Sequence, residues 1–305
     1  MLMKRDPCKE AADESGKPVS ESGKAVGESG GALAMHERDK EAATLRRARW
    51  QSWGLVGIGL AIYALLRLLF GPLPQDPSYH LFADTRVCGP IPRAGDVLTN
   101  LAILAAGLAG LALWKRVNIA PDERTAYALL VAGMLFTAFG SAYYHWDPSD
   151  ARLIWDRLPM TLVMAAVAAL VLADRVDPAF ARVALVPFAL LGIASVLWWK
   201  WSVFFGNDDL LLYLVVHVGV GLLIVLLCVF RKGRHSHVGW LFAALALDIL
   251  MIVSERLDHE IFAATRMLVS GHNLKHVLAG ALLGCLLMWL VQRRTRSAPA
   301  ASGAT

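Results

Sequence analysis

Residues 209–230 read DLLLYLVVHVGVGLLIVLLCVF. After Asp209, His217 is the only side chain in this run that carries charge near neutral pH. As an α-helix the run is long enough to cross the ~30 Å hydrocarbon core of a bilayer. Seven further apolar stretches flank it, at 53–70, 97–114, 125–146, 158–173, 180–199, 238–255 and 268–291. Trp53, Trp114, Trp146, Trp155, Trp198, Trp199, Trp240 and Trp289 stand near their ends, where interfacial aromatics gather. None of the stretches alternates strictly, so a membrane β-barrel is excluded and helices remain as the only way to satisfy the backbone in lipid. The expected fold class is all-α, a polytopic membrane helix bundle.

Composition agrees. Of 305 residues 56% are hydrophobic and 18% charged, against about 25% charged in an ordinary soluble domain. Mean hydropathy is +0.50. Residues 1–49 alone hold 10 Lys/Arg and 9 Asp/Glu. Such a polar segment is expected to be a disordered cytoplasmic tail. Glu-Ser-Gly recurs in it at 14–16, 21–23 and 28–30 without the apolar positions of a coiled coil, and Met35 offers an alternative start. An N-terminal transmembrane anchor is expected over 50–75, the main helical domain over 76–292 and a second disordered tail over 293–305. The net charge of +5 sits in short clusters between apolar runs, so nucleic acid is not an expected partner. Cys8, Cys88, Cys228 and Cys285 lack the spacing of a thiolate metal site or a disulfide framework.

With the N-terminus inside, the inner segments carry 14 Lys/Arg and the outer ones 8, which favours both termini in the cytoplasm and an even number of spans. Ionisable groups inside spans are costly, so each is a candidate for function. Ser141 and His145 lie four apart at the end of the third stretch, and His272 and His276 repeat that spacing at the start of the eighth. Residues at i and i+4 share one helix face. Asp156 opens the fourth stretch. All five fall at the outer surface in a topology derived without them. Three imidazoles are the ligand set of an open zinc site, where the ion lowers the pKa of a water to about 7. Asp156 is the carboxylate available as base, because residues 273–275 are Asn, Leu and Lys and lack the Glu of HExxH. Either spacing by itself is more often an interfacial histidine without a ligand.

The segments GSAYYHWDPSDARLIWDRLP (140–159) and SGHNLKH (270–276) together resemble the alkaline ceramidase family, and most closely its bacterial, phytoceramidase-like branch within the seven-helix membrane hydrolases. LFADTRVCGPIPRAGDVLTNLAILAAGLAGL (81–111) resembles the stretch that opens the first helix of that family, and the likeness runs from about Tyr79 to Val291. The resemblance implies a Zn2+-dependent hydrolase cleaving the N-acyl amide of a ceramide-like membrane lipid to a long-chain base and a fatty acid. By it His145, His272 and His276 would be metal ligands and Ser141 and Asp156 catalytic partners. The acidic calcium segment of the eukaryotic members has no counterpart around Arg93 and Asp96, so no calcium site is expected. Stretch 53–70 is additional to the seven-helix pattern, giving eight spans in a bacterial inner membrane with the site on the extracytoplasmic side.

Glu255, Asp258 and His259, at the outer end of the seventh stretch, are candidates for fixing a ligand tautomer, or are simply solvated. Asp248 and His217 lie mid-span; either could line a substrate cavity or join a proton path, but the favoured reading is that each pairs with a partner on another helix inside the bundle. His235 and His237 are expected to do no chemistry, and Asp147 and Asp150 to serve a turn with Pro148. Two other functions compete: a receptor-like protein with structural zinc, and a proton- or ion-coupled transporter using Asp248 and His217. The missing inverted repeat weighs against the second.

Overall fold

The structure, a computed structural model, describes residues 22–295, with side chains from 33. The tail expectations for 1–21 and 296–305 lie outside the described residues. The chain divides into two compact units, Met1–Thr44 and Leu45–Thr305.

The described residues are helical, with isolated bridges at Cys88–Ile91 and His235–Thr295 and no strand. The helices are α1 (Ser22–Phe70), α2 (Ala94–Thr99), α3 (Leu101–Ala112), α4 (Arg124–Trp146), α5 (Asp150–Arg175), α6 (Ala179–Val183), α7 (Leu185–Phe204), α8 (Leu211–Phe230), α9 (Gly239–Arg256), α10 (Asp258–Ala264) and α11 (Gly271–Gln292). Two single-turn 3-10 segments stand at Pro77–His80 and Pro121–Glu123. Seven helical segments are long and apolar enough to cross a membrane: Leu33–Phe70, Ala94–Ala112, Pro121–Trp146, Asp150–Arg175, Leu185–Phe204, Leu211–Phe230 and Gly271–Gln292. The protein is an integral membrane protein of the all-α polytopic class.

Three expectations need revision. Residues 22–49, expected to be disordered, are helical as the first part of α1. Stretch 180–199 is two helices broken at Ala184, with Pro187 in the first turn of α7, where its missing N–H is not needed. Stretch 238–255 is helical as α9, but its 18 residues include Asp248, Glu255 and Arg256, and it falls outside the apolar spans.

Packing explains where the site forms. α5 is the most enclosed span and contacts α4, α7 and α8, while α11 contacts α9 and α3. A core of Ile103, Tyr127, Leu130, Met134, Leu170 and Trp289 holds α3, α4, α5 and α11 together. A second group, Phe82, Tyr144, Leu153 and Trp199, lies beside the histidines. Two glycines permit close backbone approach there. A Cβ on Gly140 would meet the Trp155 carbonyl oxygen at 2.0 Å, and one on Gly271 would meet the Ser254 carbonyl oxygen at 2.0 Å and the Asp258 Cα at 2.7 Å. Backbone cannot yield as a flexible side chain can. Gly271→Ala is therefore expected to destabilise the protein by about 1–3 kcal/mol or more. Thermal unfolding in detergent checks this, and an unchanged midpoint would show that α9 and α11 need no such contact.

At the same end of the bundle, Asp209 ties several elements together. Its carboxylate accepts from Tyr63 Oη at 2.9 Å, from Arg67 Nε at 3.1 Å and from the Leu211 amide at 3.2 Å. Burial works to raise its pKa, but these donors hold it below the usual carboxylate range.

Candidate metal centre

Each half of the centre is set by local structure. α4 ends at Trp146 and presents Ser141 and His145 on one face. α11 begins at Gly271 under a reciprocal cap: the Asn273 amide donates to Ser270 Oγ at 3.0 Å, and the Ser270 amide to Asn273 Oδ1 at 3.2 Å. That cap fixes the first turn, which carries His272, with His276 one turn further on.

The sequence places these histidines 127 residues apart, and the fold brings them together. Ligand atoms of His145, His272 and His276 all lie within 4.8 Å of one another, and all three residues are buried. Ring centroids are 4.6 Å apart for His145–His272, 4.8 Å for His145–His276 and 4.7 Å for His272–His276. Nε2 of His145 stands 3.1 Å from Nε2 of His272.

Hydrogen bonding shows which nitrogens are free. Thr99 Oγ1 donates to the Gly95 carbonyl at 2.7 Å, so its oxygen can accept from His276 Nδ1, 2.9 Å away. The His276 proton then sits on Nδ1 and the Nε2 lone pair faces inward. His272 Nδ1 lies 3.9 Å from Glu255 Oε1, within electrostatic reach though too far for a hydrogen bond. His145 Nδ1 is buried and has no hydrogen-bond partner among the described residues. Two imidazole lone pairs at 3.1 Å repel unless a proton or a cation lies between them. Nitrogens ~2.0–2.1 Å from a tetrahedral ion would be about 3.3 Å apart. The donor set and its spacing fit a metal ion.

Ser141 lies one turn before His145 on α4, and Asp156 is buried on the facing helix α5. At Gly140 the backbones of α4 and α5 approach closely, which brings Ser141 towards the buried Asp156 carboxylate. Of the candidates for fixing a tautomer, Glu255 faces His272 and also pairs with Lys275. Asp258 instead takes the His272 backbone amide at 2.7 Å and the Ala83 amide at 2.8 Å, so it caps α11 and pins a loop. His259 approaches the Leu81 carbonyl at 3.3 Å. His217 and Asp248 interact electrostatically with each other, and His217 also with Lys275, Glu255 and Arg157. Asp147 pairs with Arg152 at 3.3 Å, and His235 with Asp174 at 2.7 Å.

Sequence reasoning missed the loop over the centre. Phe82 lays its ring against His145 and His272, with centroids 4.8 and 4.4 Å away. His80 Nδ1 and the Tyr144 hydroxyl are 2.8 Å apart, and Arg86 holds Asp84 through Nε at 2.8 Å and Nη2 at 2.6 Å. Burial works to raise the Asp84 pKa, but the Arg86 hydrogen bonds hold it below the usual range. Thr99 was also missed, because a threonine four residues after a glycine carries no signal until the helices pack. Thr99→Val removes the acceptor that orients His276 and is expected to weaken metal affinity by roughly 10- to 100-fold. Competition with a chelator measures that loss, and an unaltered affinity would separate Thr99 from the ligand set.

The fold and the site define a class: an integral membrane helix bundle with a buried three-histidine group that could hold a metal ion. No protein-family model, no curated protein and no solved structure matches the chain.

Proposed function

We propose that the protein is a zinc-dependent membrane amidohydrolase, similar to the alkaline ceramidases, that cleaves the N-acyl amide of a membrane lipid. The observation that carries this reading is the convergence of His145, His272 and His276 beside the Ser141–Asp156 pair. When bound, zinc would supply a Lewis acid and lower the pKa of water.

The chain's own groups do the rest. Asp156 is placed to take the proton from the attacking water and pass it to the leaving amine. While ionised, it accepts from the Ser141 hydroxyl. Once protonated it becomes the donor, which releases the Ser141 proton for the developing oxyanion of the tetrahedral intermediate. Phe82 and the 77–86 loop cover the histidines and keep bulk water away, strengthening these charged contacts. Loop charge, counted over eight crossings that include the less apolar α9, supports an extracytoplasmic site, and the resemblance implies a bacterial inner membrane.

The test is metal analysis of the purified protein together with a screen of N-acyl lipids for released fatty acid. About one zinc per chain is expected, with release that stops under a chelator and resumes on adding zinc. Zinc without turnover on any lipid amide or ester would favour a receptor-like protein. Ion flux in liposomes that needs Asp248 and survives loss of the histidines would favour transport.

A further inference from the structure

Arg157, the residue after Asp156 on α5, is a buried cation with no carboxylate in ion-pair contact among the described residues. It is 5% exposed, and among the described residues no carboxylate oxygen lies within 4.0 Å of its guanidinium. Nη2 donates to Gln75 Oε1 at 2.6 Å, while Nη1 is buried with no hydrogen-bond partner among the described residues. The guanidinium carbon lies 4.6 Å from the Trp199 ring centroid, 4.9 Å from that of Tyr213 and 5.5 Å from that of Tyr79. Three aromatic faces hold the cation in place but do not neutralise it, and an unpaired charge at membrane depth is costly.

The neighbouring charges do not resolve this. Lys275 is already paired with Glu255, whose Oε1 also lies 3.5 Å from Tyr79 Oη. Asp156 interacts electrostatically with both Lys275 and Arg157 but is not in ion-pair contact with the Arg157 guanidinium. Two carboxylates, Glu255 and Asp156, balance two cations, Lys275 and Arg157, but only Lys275 is in ion-pair contact, so the Arg157 fork has no anion against it, one residue from the group that would hand a proton to the leaving amine. Its planar fork suits bidentate binding of a carboxylate or phosphate.

We propose that Arg157 anchors an anionic group on the amine half of the substrate, so that the natural lipid is an N-acyl compound bearing a carboxylate or phosphate rather than a neutral ceramide. The word substrate here rests on the hydrolase reading, but the anion site itself does not.

The test uses the full-length protein in detergent and a non-hydrolysable ketomethylene analogue of N-palmitoylglycine, beside its methyl ester. Equilibrium binding of the free acid is expected to be about 30-fold tighter than that of the ester, the loss that follows when a buried charge pair lacks one partner. In Arg157→Gln this preference should collapse while ester binding stays the same. The matching phosphate analogue forms the second arm, and the tighter of the two anions names the headgroup. Equal binding of acid and ester by the unmodified protein overturns the proposal, and that comparison needs no variant. A preference that survives in a folded Arg157→Gln overturns it too, because the anchor would then lie elsewhere. Acid preference with no hydrolysis of any lipid would sink the hydrolase reading and leave the anion site standing. Hydrolysis without acid preference would do the reverse.

Discussion

His276→Ala is expected to lower bound metal from about one ion per chain to near zero and to abolish amide hydrolysis. His276 is the ligand whose orientation is best fixed, because Thr99 accepts from its Nδ1 at 2.9 Å while itself donating to the Gly95 carbonyl. Loss of an outer partner such as Thr99 costs roughly 10- to 100-fold, and loss of a ligand should exceed that. His145 and His272 would then face each other as a two-nitrogen site. Metal content and fatty-acid release are measured on the same preparation. Full release from a metal-free variant would end the case for metal-assisted chemistry here.

Asp156→Asn should separate the two halves of the site. The three ring nitrogens are untouched, so metal content should stay near one. Turnover should fall by about 10²- to 10⁴-fold, the range typical for removing a positioned acid–base group. A parallel loss of metal would place Asp156 among the structural supports. Turnover within a few-fold of the unmodified protein would assign the proton to another group, Glu255 being the nearest alternative.

Much of this architecture was legible in the chain. Helical spans of about 20 apolar residues announce themselves, because lipid forces a helix wherever such a run must cross. The three histidines were legible too, since spacings of four put each pair on one face and loop charges put both faces at one end. Other features depend on contacts no local pattern encodes. The helical part of the tail, residues 22–49, is polar and offers no apolar period to read. Phe82 and Thr99 matter only after the 77–86 loop folds over α11. Arg157 counted merely as one more loop charge until its three aromatic neighbours, drawn from the 77–80 turn, α7 and α8, came together. Asp258 looked like a group near the metal and proved to be a cap, because it bonds the backbone amide of His272 and leaves the ring alone.

The near contact of Gly140 with the Trp155 carbonyl has a lasting consequence. The distance from His145 to Asp156 is set by main chain against main chain, at one point where only glycine fits. Side chains on the outer flanks of those two helices, such as Phe136, Phe139 and Trp155, face away and are exposed. Evolution is thus free to retune those flanks to bilayers of different thickness or fluidity without disturbing the spacing of the reactive groups. Substitutions there should accumulate between species, while position 140 stays fixed.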